Sequence, residues 1–133
     1  MNYSLLPIID IKQTYKYLAD EFAKQYYTLY DNNFLQLANL YLPDSYFTYL
    51  DEEITGFNNL VQRLRQYGIT KFTHSQLHLN VQPIGERSLM ISVTGLISVN
   101  NGVASQRFSE TVLLQKDDYN HFFIYRTIFK LLN

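Results

Sequence analysis

Two periodicities meet at Gly68, and the change between them limits the fold more than any motif does. Before that glycine the apolar residues recur at three-and-four spacing. From Tyr15 they fall at Leu18, Ala19, Phe22, Tyr26, Leu29 and Tyr30, with Lys16, Asp20, Lys24 and Thr28 opposite, which is the stripe of an amphipathic helix over about residues 10–31. Asn32 or Asn33 ends it and caps a short second helix with Phe34, Leu37, Ala38 and Tyr41 as its buried stripe. Pro43-Asp44-Ser45 then predicts a turn. Residues 46–50 read as a short strand, and Gly56 leads into a third helix at about 58–67, capped by Asn58 and stopped by Gly68.

Beyond Gly68 the period is two. Strands at about 71–82, 88–99, 103–115 and 121–132 are separated by Pro83-Ile84-Gly85, Asn100-Asn101-Gly102 and Asp117-Asp118. Asn101-Gly102 marks a type I′ hairpin, whose central residues both need positive φ. Helices first and an antiparallel meander afterwards predict one α+β domain over 1–133, with the helices on one face of the sheet. Strands this long twist and coil around what they cover.

The chemistry is narrowed by what is missing. With no cysteine, disulfides, thiolate zinc sites and thiol catalysis are excluded. Residues 1–10, MNYSLLPIID, lack the basic start and unbroken apolar run of a signal peptide. The longest apolar strip, Leu89 to Val99, is interrupted by Ser92, Thr94, Gly95 and Ser98 and falls short of the ~20 residues of a membrane helix. A soluble chain of the cytosol or nucleus is expected. Residues 1–53 carry three basic and eight acidic residues, and 54–133 carry eight basic and four acidic. No basic stripe forms, so neither nucleic acid nor membrane is expected as a partner.

The five glycines build no phosphate-binding loop. His74 and His78 are spaced like a helical metal pair but lie in a predicted strand, where four residues span ~13 Å. They read as polar residues on one strand face, and neither metal nor cofactor is expected. Asp51-Glu52-Glu53 reads as a solvated turn, with partner binding or acid–base work as alternatives. The tyrosines of the first helix are mostly core. Tyr15, Tyr17 and Tyr27 spread beyond one stripe, however, so some ring must lie near the surface, where aromatics mark binding sites.

The segments FAKQYYTLYDNN, LANLY, TYLDEEITG, VQRL, FTHSQLHLNVQP, ISVTGLI, QRFSETVLLQ and FFIYRTIFKL, in this order, resemble the nuclear transport factor 2 family along nearly the whole chain. The resemblance implies a cone of three helices held in a strongly curved, mixed but mostly antiparallel sheet, a cystatin-like arrangement. It also implies a homodimer through the open sheet face and an apolar cavity at the mouth. Such proteins are non-enzymatic carriers of cytoplasm, nucleus and nuclear pore, gripping GDP-bound Ran on one surface and Phe-Gly nucleoporins on another. Carried over by position, the Ran-type cavity is Tyr49, Leu50, Asp51, Tyr67, Phe72, Phe108 and Phe129; the nucleoporin contact is Tyr15; His74 and Lys130 belong to the dimer interface.

Two departures bear on Ran. Where the family places acids that grip basic side chains, this chain has Leu50 and Asn100-Asn101-Gly102, leaving Asp51 as the nearby substitute. Losing one partner of a desolvated ion pair costs ~2–5 kcal/mol. The small heterodimer subunit of the messenger-RNA export receptor, which lacks those acids, is the alternative. A cavity enzyme of the ketosteroid isomerase or dehydratase type is a further one. It would use an inward His74 as general base beside Phe72 and Tyr49, but no second acid is evident at the interior-facing strand positions.

Overall fold

The computed structural model describes residues 11–132, with side chains from Thr14 onward; the segment read above against a signal peptide lies outside them. Helix α1 spans Ile11–Asn32 and buries Leu18, Ala19, Phe22, Tyr26, Tyr27 and Tyr30. The second helix is a 3-10 helix, Phe34–Leu40. Three residues per turn align positions 34, 37 and 40, so Leu37 and Leu40 are buried while Ala38, expected in the stripe, is exposed. Tyr41 opens the next strand instead.

That strand, β1, runs Tyr41–Tyr49 and absorbs the expected turn at Pro43-Asp44-Ser45 as a register shift between Tyr41 and Tyr46. Proline has no N–H to give the ladder, and the buried Ser45 hydroxyl makes good the loss. It donates to the Ile124 carbonyl at 2.6 Å and accepts the Leu42 N–H at 2.8 Å. A strand missed in the sequence, β2 at Glu52–Thr55, pairs back on β1 through Leu50 and Asp51, both at positive φ. Helix α2, Phe57–Gln66, starts after Gly56 with no side-chain cap, so Asn58 does not cap it. It ends as expected at Gly68, φ 75°. The Gly68 N–H reaches the Arg65 carbonyl and the Ile69 N–H reaches that of Leu64, both at 3.0 Å, the paired bonds of a Schellman stop.

The remaining strands are β3 Phe72–Ile84, β4 Ser88–Val99, β5 Gln106–Lys116 and β6 Phe122–Leu132. The positive-φ pair after β4 is Asn100-Asn101, one residue earlier than predicted, closed by Gly102 N–H to Val99 carbonyl at 2.9 Å. The sheet order is β2-β1-β6-β5-β4-β3, with β1 and β6 parallel and the other neighbours antiparallel. The predicted class therefore holds: an α+β cone of three helices in a mostly antiparallel sheet. Its inner face gives Leu89, Ile91, Val93, Phe108, Val112 and Ile124 to the core. On the outer face Met90 aligns with Leu113 and Arg126, and Ser92 with Thr111 and Ile128.

One irregularity decides the site. Ser75 pairs with Leu96 and His78 with Thr94, so β3 spends one residue more than β4 there, with Gln76 at φ 52°. Such a bulge inverts the alternation beyond it. His74 turns inward and His78 is exposed, and the reading of both on one face is corrected.

Candidate functional site

Successive turns of α1 bring Tyr26, Tyr27, Tyr30 and Asp31 to the interior, where β1 adds Tyr41 and Tyr49, β3 adds His74 and β5 adds Glu110. Glu110 is 2% exposed. The Tyr27 hydroxyl donates to its Oε1 at 2.8 Å and the Tyr26 hydroxyl to its Oε2 at 3.3 Å. Tyr26 and Tyr41 share a second contact at 3.3 Å, and Tyr30 and Tyr49 a third at 3.5 Å. Burial raises the Glu110 pKa above its ordinary value, opposed by the tyrosine hydroxyls and by nearby His74. Burial likewise raises Tyr26, Tyr27 and Tyr30, so they stay protonated and serve as donors.

Asp31 fixes His74. Its Oδ1 lies 2.6 Å from Nδ1, and its Oδ2 accepts the His74 backbone N–H at 2.9 Å. Rings of Tyr27, Tyr30 and Phe108 stand 4.7 to 5.2 Å from the imidazole. Nε2 is buried and has no hydrogen-bond partner among the described residues. His74, expected in the dimer interface, thus has a side chain only 1% exposed, inside the single chain. The expectation that no acid faces inward from a strand is corrected by Glu110. Its signal was legible: Phe108, Glu110, Val112 and Leu114 alternate, placing a carboxyl on an apolar face.

The carried-over cavity residues divide. Tyr49, Phe72, Phe108 and Phe129 are buried: Tyr49 stacks on Phe129 at 4.5 Å and Phe129 on Phe108 at 6.0 Å, while Phe72 packs against Tyr30 and Phe34. Tyr49, Phe108 and Phe129 thus form an interior stack rather than the rim of an open mouth. Tyr67 is exposed, and its hydroxyl and the Arg63 guanidinium both engage Glu52. Glu53 pairs with Thr48 across the β1–β2 ladder. Of the acid cluster only Asp51 sits in the turn, because Glu52 and Glu53 belong to β2. Asn100 is committed as well: its Oδ1 accepts the N–H groups of Thr70 and Lys71, and its Nδ2 donates to Gly68. Lys130 is exposed on the outer sheet face opposite Ser109. Tyr15 is half-buried against the core, and the more exposed ring is Tyr17.

Leu50 sits at φ 52°, a region that leucine enters at a cost of ~1–2 kcal/mol and asparagine more readily. Leu50→Asn is therefore expected to stabilise the chain by about 0.5–1 kcal/mol, seen as a higher urea midpoint. A lower midpoint would mean that packing of the half-buried Leu50 side chain outweighs the strain.

Among the described residues no group of His, Asp or Glu is placed to hold a metal, and no helix is long and apolar enough to cross a membrane. The description "Nuclear transport factor 2 (NTF2) domain" matches residues 18–131. The chain belongs to this family. Nuclear transport factor 2 of Candida glabrata is 29% identical over 115 residues, 86% of this chain and 91% of that one. The structure of nuclear transport factor 2 from Cryptosporidium parvum superposes with a TM-score of 0.79 at 23% identity, covering 90% of this chain and 95% of that one. The Mtr2-Mex67 M domain complex of C. albicans gives 0.71 at 14% identity over 87% and 93% of the chains. The family's cone is thus here, with a buried carboxyl in its interior and a histidine–aspartate pair beside it.

Proposed function

We propose that this chain is a non-enzymatic nucleocytoplasmic transport adaptor that works as a dimer and contacts Phe-Gly nucleoporins, moving between cytoplasm and nucleus through the pore. The observation behind this reading is the outer sheet face. No helix among the described residues covers it, and it presents Met90, Leu113 and Ile128 among short hydroxyl side chains beside Arg126, an apolar patch able to pair with a like surface. Tyr15 offers the nucleoporin contact. The non-enzymatic part is supported by the interior: a general base must reach its substrate, whereas His74 Nε2 is buried beneath packed rings.

Ile128→Arg is expected to reduce the sedimenting mass from dimer to monomer while the far-ultraviolet dichroism stays unchanged. A monomer already present in the unsubstituted protein, at high concentration, sinks the dimer reading.

GDP-bound Ran has less support. Glu52 is neutralised by Arg63, Leu50 and Asn100 stand where acids would grip, and Asp51 makes no ion pair among the described residues. Calorimetric titration with GDP-bound Ran separates the cases. A silent titration, with a larger like-folded protein co-purifying, supports the heterodimer subunit, a reading favoured by the missing acids and by the likeness to a complex of two chains. Micromolar binding would restore Ran carriage.

A further inference from the structure

A cleft that borrows Tyr30, Asp31 and Phe72 from the interior but faces outward opens between the end of α1, the 3-10 helix, α2 and the start of β3. It holds about 350 Å³ and is lined by Tyr30, Phe34, Val61, Leu64, Ile69 and Phe72. Leu35, at its edge, is 58% exposed. The volume lies at the low end for ligand pockets, ~300–1,000 Å³, and suits one large side chain better than a cofactor.

The rim carries two cations against one acid. Arg65 is exposed and makes no ion pair among the described residues. The Lys71 ammonium donates to the Asp31 carbonyl at 2.9 Å, an uncharged partner that leaves its charge unbalanced. The one acid at the edge, Asp31, spends both carboxylate oxygens on His74. Each cation has an ordinary reason to be there, since Arg65 in the last turn of α2 complements the helix dipole. That reason does not account for the unfilled apolar floor between them.

The wall is also held rigid. Asn100 clamps Gly68, Thr70 and Lys71, and the Schellman bonds fix the path from Leu64 to Ile69. A preorganised site spends less of its binding energy on ordering itself.

We propose that this cleft docks a protein segment that presents one aromatic side chain flanked by aspartate or glutamate. The ring enters between Phe34 and Ile69, and the carboxylates face Arg65 and Lys71. This selects the opposite charge from the family's acid-rimmed grip on basic side chains. The cleft lies fifteen residues along α1 from Tyr15, ~22 Å at 1.5 Å per residue, so it is a second surface and does not stand or fall with the nucleoporin contact.

The test uses the full chain and a fluorescein-labelled peptide, Ser-Asp-Asp-Phe-Glu-Asp-Ser, followed by anisotropy and by amide chemical shifts. Saturable binding is expected, with shifts at Leu64, Ile69 and Lys71. Replacing the peptide's Phe by Ala, or its acids by lysines, should abolish binding. Arg65→Glu, at an exposed position that leaves the fold intact, should weaken it by at least tenfold. No saturation at millimolar peptide, equal binding of the lysine peptide, or shifts confined to Tyr15 or the outer sheet face would each overturn the proposal.

Discussion

Gly95→Ala is expected to lower stability by about 3 kcal/mol, read as a fall in the urea midpoint at unchanged slope. A Cβ on Gly95 would stand 2.8 Å from the Ser75 carbonyl oxygen, 2.9 Å from Leu77 Cδ2 and 3.1 Å from Phe108 Cε1. The leucine can rotate away; the carbonyl is backbone and cannot. It belongs to the β3 bulge that parts His78 from the inward His74, so relief of the clash must come from the bulge itself. Loss of the His74–Asp31 contact should therefore accompany the loss of stability, and the amide shift of His74, whose N–H now donates to Asp31 at 2.9 Å, reports it. A cost below ~0.5 kcal/mol, the range of ordinary surface substitutions, would mean that β3 slides freely there, and the account of His74 as a fixed interior residue would fail.

Glu110 supplies the second large effect, and it depends on pH. Burial, the leading cause, raises its folded pKa above the ordinary 4.5, so the fold favours the neutral carboxyl. The associated stability is fully present below the unfolded pKa and is lost as pH rises through the folded one. Glu110→Gln keeps an oxygen to accept from Tyr27 and cannot ionise. The urea midpoint of the unsubstituted protein should therefore fall relative to that of Glu110→Gln as pH rises above about 4.5. Because both proteins retain His74, Asp31 and every surface carboxylate, the difference belongs to Glu110. Glu110→Ala removes the acceptor altogether and strands the buried Tyr27 hydroxyl, costing about 2 kcal/mol relative to Glu110→Gln at any pH. A midpoint difference that stays flat with pH would mean that Glu110 keeps its ordinary pKa and that His74 and the tyrosines balance burial in full.

The architecture was readable because local pattern and tertiary packing agree. Period two after Gly68 does become four strands, and the stripe on α1 does face the sheet. Failures came where a tertiary partner outweighed local chemistry. Pro43-Asp44-Ser45 has turn composition, yet β6 holds it in the sheet through the Ser45–Ile124 bond. Glu52 and Glu53 look like solvent, yet the Arg63 ion pair on Glu52 and the ladder to Tyr49 and Thr48 hold them in β2. The interior site was half legible. Glu110 could have been found by alternation, whereas Asp31 reaches His74 from 43 residues away on a helix, and the parting of His78 from the inward His74 depends on a bulge that only Gly95 hints at. The packed state of Tyr49, Phe72, Phe108 and Phe129 was beyond reach, since residue type does not tell whether rings line a hollow or fill it.

The parallel pairing of β1 with β6 also governs how the molecule is made. Tyr46 lies beside Arg126, and Phe47 beside Thr127, so the first strand synthesised rests on the one synthesised last, and β6 occupies the middle of the order. A ribosome-bound chain halted before residue 122 has all three described helices, the β1–β2 hairpin and most of the meander, but its sheet is split in two with nothing between the parts. Closing so long a loop is slow. Until β6 emerges, the inner face of β1 lacks the neighbour on which Tyr49 stacks, Phe129, and that face is what a chaperone would hold.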